Sequence, residues 1–332
     1  MSARPHASGR VPALLERAWR ARQALLPPNT SIYRLAHEVG DGLAGLVVDA
    51  YGPVAMAQAY EETWRARLPD VAEALMRLGF RSVRAVVRGT SGAPTGSELR
   101  VGEPLPEELT AHEQGLGFQI RPADSSISVG LFPDARAVRA RVSLLSRGKD
   151  VLNLFAYAGG YTVAALAGGA VHVDQVDAAP KTAPWSARNV ALNGFSPRDC
   201  RFIVDDALAF TAKVVRQGRR YGVVVADIPT FGRSSKGRHS LAPASGKGAT
   251  RGLVDAVVVS LQATDSGGRL VLGVNARSVD ATAAWGSVVT AAEEADVTPV
   301  LEEIMGPGPD FPHAPEHPEL RHLKVLQVRV ER

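Results

Sequence analysis

The chain has 332 residues, 45% of them hydrophobic, with a net charge of +4 and a single cysteine. That length allows two domains and that composition a real core, whereas one cysteine excludes an intramolecular disulfide and a cysteine-based zinc site. No run of about 18 apolar residues marks a membrane span, and the basic start, Met1 to Arg10, lacks the apolar segment that a secretory signal needs. A cytoplasmic protein fits these features.

Val11, Leu14, Leu15, Ala18, Trp19 and Leu25 recur at helical spacing and predict a helix over 11–26, stopped by Pro27-Pro28-Asn29. This start is basic: Arg4, Arg10, Arg17, Arg20, Arg22 and Arg34 face only Glu16. Residues 1–28 therefore read as a basic N-terminal helix. Strands are predicted at Ser31–Leu35, Leu46–Asp49, Val54–Ala59 and Val83–Arg88, with a helix over 65–78 and a Gly-, Pro- and Ser-rich loop over 89–107. Residues 29–120 are expected to form a small α+β domain.

From residue 148 short apolar strands alternate with longer helices. The strands are Asp150–Phe155, Val171–Val176, Arg201–Val204, Gly222–Asp227, Arg269–Val274 and Val297–Ile304; the helices lie near 160–168, 180–193, 206–217, 250–265 and 278–295. This alternation predicts a doubly wound α/β sheet, and Leu323–Val330, reached without a helix, an antiparallel last strand. Residues 121–332 are expected as one domain. Within it Gly232–Gly252 is biased to Gly, Ser and basic residues and reads as a mobile loop. Two basic segments, 4–34 and 233–251, point to phosphate contacts with RNA.

In an open α/β sheet, ligands bind outside the carboxyl ends of the strands. The first strand of this half ends in Phe155-Ala156-Tyr157-Ala158-Gly159-Gly160, where glycines let a ligand approach the backbone or simply start a helix. The G-x-G-x-x-G spacing of a pyrophosphate site is absent. Asp177 ends the second strand and suits ribose hydroxyls. Asp206 follows the third and suits either an adenine amino group or a helix cap. The fourth ends in Asp227-Ile228-Pro229-Thr230-Phe231, whose aromatic ring would stack on a base or pack under its own loop.

Taken in order, these residues resemble the large-subunit (23S) rRNA methyltransferase I family. The resemblance rests on Gly130–Arg136, Val151–Thr162, Asp177, Trp185, Asn189, Asn193-Gly194, Asp206 and Asp227–Phe231. It extends upstream to Tyr33–Leu35 with Gly40–Gly52, and downstream to Asp310–Pro312, Pro318-Glu319 and Leu323-Lys324. It implies a class I methyltransferase domain (Rossmann-like), S-adenosyl-L-methionine as cofactor and an rRNA base as substrate. It also implies that Phe132, Asp134 and Arg136 line the cofactor site; Ala135 stands where the family usually has glutamine.

Three departures bear on the chemistry. The family often carries an N-terminal PUA domain, for which this sequence has only about 30 residues. Ile228 replaces the first proline of Asp-Pro-Pro and restores a backbone N–H. The cysteine that cytosine-methylating relatives place after the fifth strand is missing: Val271–Ser278 has none, and Cys200 precedes the third strand. Carbon 5 of cytosine needs a thiolate adduct before it attacks a methyl group, so methylation of an atom with its own lone pair is expected. The guanine-N7 domain of 23S rRNA methyltransferase K/L is similar at Asp227–Phe231 and at Asn275-Ala276-Arg277. The expected catalytic residues are Asp227, Pro229, Phe231 and Asn275, with Asp227 expected to contact the cofactor as well. Alternatives are a small-molecule methyltransferase or a non-catalytic member that binds RNA or cofactor. Partners are expected to be rRNA and a second copy of the chain, with no membrane.

Overall fold

A computed structural model describes residues 10–89, 94–96, 98–124, 129–229, 251–276, 278–313, 316–317 and 322–332, with the backbone alone at 231–234 and 237–240. The chain divides into two compact units, Met1–Asp134 with Gly308–Leu320, and Ala135–Pro307 with Arg321–Arg332.

The first unit contains helix α1 (Arg10–Leu25), strands β1 (Ile32–His37), β2 (Leu46–Tyr51) and β3 (Val54–Ala59), helix α2 (Leu68–Arg77), and strands β4 (Ser82–Val87), β5 (Leu99–Gly102), β6 (Leu109–Glu113) and β7 (Leu116–Ile120). Strands β1 to β5 form one sheet in chain order. Both helices bury apolar stripes in its core: Val11, Leu14, Leu15 and Ala18 from α1, and Leu68, Val71, Ala72 and Leu75 from α2. The expected helix over 65–78 opens as a 3-10 turn, Glu62–Arg67, before α2. The stretch 89–107 is not all loop. Leu99 and Val101 pack on the core while Arg100 and Gly102 are exposed, and β5 pairs antiparallel with β4. The β6–β7 hairpin and its Gln114-Gly115 turn, both at positive φ, also escaped the sequence reading.

Arg22 and Arg34 require a correction. Counted above among RNA-facing arginines, both are internal. Arg22 donates to both Asp41 oxygens at 2.8 and 2.5 Å, with both side chains buried. Arg34 is the cross-strand partner of Asp49 and pairs with it at 2.6 Å, its guanidinium 4.7 Å over the Phe311 ring. A buried guanidinium is kept only with a carboxylate beside it, so neither reaches a phosphate. Arg4 and most of 233–251 lie outside the described residues.

The second unit runs α3 (Arg136–Leu145), β8 (Asp150–Leu154), α4 (Gly160–Ala167), β9 (His172–Asp177), α5 (Thr182–Leu192), β10 (Cys200–Val204), α6 (Ala207–Arg216), β11 (Tyr221–Ile228), β12 (Phe231–Ser234), β13 (Gly237–Ser240), α7 (Arg251–Ala263), β14 (Thr264–Val274), α8 (Ala281–Ala295), β15 (Thr298–Met305) and β16 (Lys324–Glu331). Its sheet order is β10-β9-β8-β11-β14-β16-β15. Strands β8, β9, β10, β11 and β14 are parallel. The antiparallel last strand is not at the sheet edge but between β14 and β15. Within 232–252, read above as loop, β12 and β13 pair as a hairpin.

The chain progresses outward from β8 to β9 and β10, then returns to the other side of β8 with β11. That reversal opens a crevice beyond the carboxyl ends of β8 and β11, where ligands bind in such sheets. Helix α3, absent from the sequence reading, buries Val138 and Val142.

Candidate functional site

The crevice is built on one level of the sheet. Val176, Leu154, Ala226 and Leu272 are successive cross-strand partners. One residue further on stand Asp177, Phe155, Asp227 and Gly273, with Asp227 and Gly273 themselves partners. The register thus brings the predicted Phe155, Asp177 and Asp227 to the carboxyl ends of adjacent strands. Gly273 has a specific reason to be glycine: a Cβ there would lie 2.5 Å from Asp227 Oδ1. Its absence leaves the Asp227 carboxylate room above the neighbouring strand.

The loop after β8 is held in an unusual conformation. Phe155, Tyr157 and Gly159 have φ of +56, +48 and +78°. The left-handed region costs a non-glycine residue about 1–2 kcal/mol, so surrounding bonds must hold it. Ala156 N donates to Val176 O at 3.1 Å and Tyr157 N to Asp177 Oδ2 at 2.8 Å. Ser186 Oγ donates to Tyr157 O at 3.0 Å, and Asn189 Nδ2 to Ala158 O at 2.8 Å. A Cβ on Gly159 would sit 2.7 Å from Ser186 Oγ and 2.9 Å from Gln175 Oε1, so glycine is required by space as well as by φ.

Beneath the loop runs a buried polar chain that the sequence reading missed. Asn153 Nδ2 donates to Thr162 Oγ1 at 2.9 Å, Thr162 to Gln175 Oε1 at 2.7 Å, and Gln175 Nε2 to Ser186 Oγ at 2.7 Å. All four residues are buried. A signal exists in the sequence only on α5, where Ser186 and Asn189 fall on the buried stripe beside Trp185 and Val190; β9 reads HVDQVD, with Val173 and Val176 its only apolar residues, and does not single out Gln175. A polar residue where the period demands an apolar one needs a partner inside. Trp185 meets Tyr157 edge to face, with ring centroids 5.4 Å apart.

The two acids at the next strand ends differ. Asp177 accepts from Tyr157 N with Oδ2 and from Ala179 N with Oδ1, at 2.8 and 2.9 Å, which orients the carboxylate and leaves each oxygen a further lone pair. Asp206 caps α6, accepting from Leu208 N and Ala209 N on Oδ1 alone. Among the described residues no hydrogen bond engages its Oδ2. The cap and a ligand contact are therefore compatible rather than alternatives. Both acids are half-buried, and the crevice so lined suits an adenosine moiety: two carboxylates aimed by backbone donors and a glycine loop that admits close approach.

The remaining predicted residues fall as follows. Ile228 is buried in the core as the partner of Val274 in β14. Pro229 is exposed, as is Asn275 beyond the end of β14. The side chain of Phe231, and Thr230 and Arg277, lie outside the described residues. In the first unit Phe132 is exposed and Asp134 buried in a 3-10 turn, Pro133–Ala135; in the second Arg136 is buried at the start of α3. Cys200 opens β10, at the amino end of an edge strand, and is buried. Burial, reinforced by Asp199 and Asp174, pushes its thiol up to about 12.

The chain is similar to known proteins over most of its length. Residues 79–293 match the family described as S-adenosylmethionine-dependent methyltransferase. The chain is 27% identical over 322 residues to ribosomal RNA large subunit methyltransferase I of Alteromonas mediterranea, covering 95% of this chain and 79% of that one. It is 33% identical over 231 residues to ribosomal RNA large subunit methyltransferase K/L of Methylococcus capsulatus, covering 68% of this chain and 29% of that one. Among solved structures, a methyltransferase complexed with SAH superposes with a TM-score of 0.85 at 20% identity, covering 98% of this chain and 83% of that one.

Proposed function

This chain belongs to the S-adenosylmethionine-dependent methyltransferase family, and from that premise we propose that it methylates a base of large-subunit rRNA by direct transfer, without a cysteine adduct. The substrate class follows the relatives whose names specify large-subunit rRNA, and it puts the reaction in the cytoplasm.

The observation that carries direct transfer is the state of the lone thiol. A cysteine that adds to a pyrimidine ring must be ionised and accessible at the reacting end of the sheet. Cys200 is buried at the amino end of β10, with its thiol raised to about 12. The chain's cysteine content offers no other sulfur nucleophile.

S-adenosylmethionine, when bound, supplies the methyl group attached to a positively charged sulfur. In this reading the Phe155–Gly160 loop offers its backbone, Asp177 accepts from ribose hydroxyls, and Asp206 Oδ2 accepts from the adenine amino group. Asp227 and Pro229 shape the edge that meets the base, Phe231 offers a ring for it to stack on, and Asn275 a hydrogen bond for its edge. With a lone pair on the acceptor atom, the chain's task is alignment, which alone removes much of the barrier. Self-association as a homodimer completes the reading and is checked by sedimentation.

The test is transfer of labelled methyl to 23S rRNA from a strain lacking the gene, followed by nucleoside analysis. The expected product is a labelled nucleoside other than 5-methylcytosine. Label in 5-methylcytosine would overturn direct transfer; no label in RNA would overturn the substrate class.

A further inference from the structure

Strand β16 starts at the reacting edge of the sheet. Because it runs antiparallel to β14, its first residue, Lys324, is the cross-strand partner of Val274, the last residue of β14. The Lys324 side chain is half-buried, and its ammonium donates to Ala276 O at 2.6 Å and to His322 O at 2.7 Å. Ala276 is thus gripped twice, since the same carbonyl accepts from Val279 N at 3.1 Å and closes the turn 276–279.

Ala276 and Val279 are buried, but the Ser278 hydroxyl is buried with no hydrogen-bond partner among the described residues. Asp280 spends one carboxylate oxygen on Ala283 N as the cap of α8, at 2.8 Å. Among the described residues, the ammonium is the side-chain donor to the Ala276 carbonyl. Burial drives this ammonium's affinity for its proton down, to about 8, and Asp280 opposes that only in part. A cation kept in such a place is costly unless its donors are used, and two of its three are.

We propose that Lys324 is a positioning residue for methyl transfer: its ammonium clamps the 276–279 turn and so fixes Asn275, the residue between that turn and β14, at the edge where the base is presented. The proposal rests on the methyl-transfer reading. It assigns the C-terminal strand a part in the reaction, through a residue that touches neither cofactor nor base.

The test compares Lys324→Met, which keeps length and apolar stem, with Lys324→Arg, which keeps charge and donors. In Lys324→Met the Val279 amide is expected to exchange about tenfold faster as its turn opens, while the amides of β14 keep their protection and show that the sheet is intact. The kcat for 23S rRNA is expected to fall about a hundredfold, the scale of a misplacement near 1 Å, with the S-adenosylmethionine Kd measured by calorimetry unchanged. Lys324→Arg should restore most of both. Unchanged exchange at Val279, or faster exchange with unchanged kcat, would overturn the proposal. Absence of transfer by the unaltered chain would instead sink the function reading, and the exchange measurement would then decide the clamp by itself.

Discussion

In the proposed function, Asp177 links backbone geometry to ligand chemistry. Its carboxylate holds Tyr157 N, one of the bonds that stabilise a left-handed residue, and still has lone pairs for a ribose. Hydrogen bonds to a charged group contribute about 1.5–3 kcal/mol. Asp177→Ala should therefore lower S-adenosylmethionine affinity about ten- to hundredfold by calorimetry; an unchanged Kd would remove Asp177 from the cofactor site. The arginines of α1 separate in the same way. Arg22→Met would strand the buried Asp41 carboxylate and should cost about 3–5 kcal/mol in urea denaturation. Arg20→Met, which breaks an exposed pair with Glu16, should cost at most about 1 kcal/mol. Equal effects would mean that the Arg22–Asp41 pair is not buried in solution.

At the scale of elements, the amino half of the sheet carries its own charge cluster. Asp174 of β9 is fully buried and accepts from Arg201 of β10 at 2.6 and 2.5 Å and from the Tyr221 hydroxyl of β11 at 2.6 Å, with Arg219 at 3.1 Å and His172 Nε2 at 3.2 Å. Burial alone would raise this carboxyl, but the Arg201 and Tyr221 hydrogen bonds and the nearby guanidinium charges outweigh it and hold it below the ordinary carboxylate range. A carboxyl lowered on folding stabilises the fold fully above its unfolded value, about pH 4, and loses that contribution as pH falls through its folded value. Urea midpoints should thus drop below about pH 4 in the native chain. Asp174→Asn should flatten that part of the curve; a curve of the same shape would assign the acid sensitivity elsewhere.

For the whole molecule, the decisive fact is which end of the sheet carries which group. The glycine loop, Asp177, Asp206, Asp227 and Lys324 fall at the carboxyl ends of the parallel strands, whereas Cys200 and the Asp174 cluster lie toward the amino ends. Cys200→Ala should accordingly leave the rate of methyl transfer to 23S rRNA unchanged. Loss of transfer in a variant that still binds S-adenosylmethionine would return the thiol to the reaction. Among the described residues no helix is long and apolar enough to cross a membrane.

By itself, the sequence determined the alternation of strands and helices from β8 to β16 apart from the β12–β13 hairpin, the antiparallel end and the acids and glycines at the strand ends, because period and turn chemistry are local properties. It also placed Gly159 where only glycine fits. Only the tertiary structure decided where β16 inserts, since a strand's neighbours are chosen by pairing across the sheet and not by its own pattern. The same holds for the buried chain Asn153–Thr162–Gln175–Ser186, whose members are far apart in sequence and meet only when β8, β9, α4 and α5 pack. It holds for Arg22 and Arg34, which look like surface charge in a basic segment until Asp41 and Asp49 are brought against them. And it holds for Lys324, fifty residues beyond Val274 in the chain but its partner in the sheet, because register places residues side by side irrespective of their distance along the sequence.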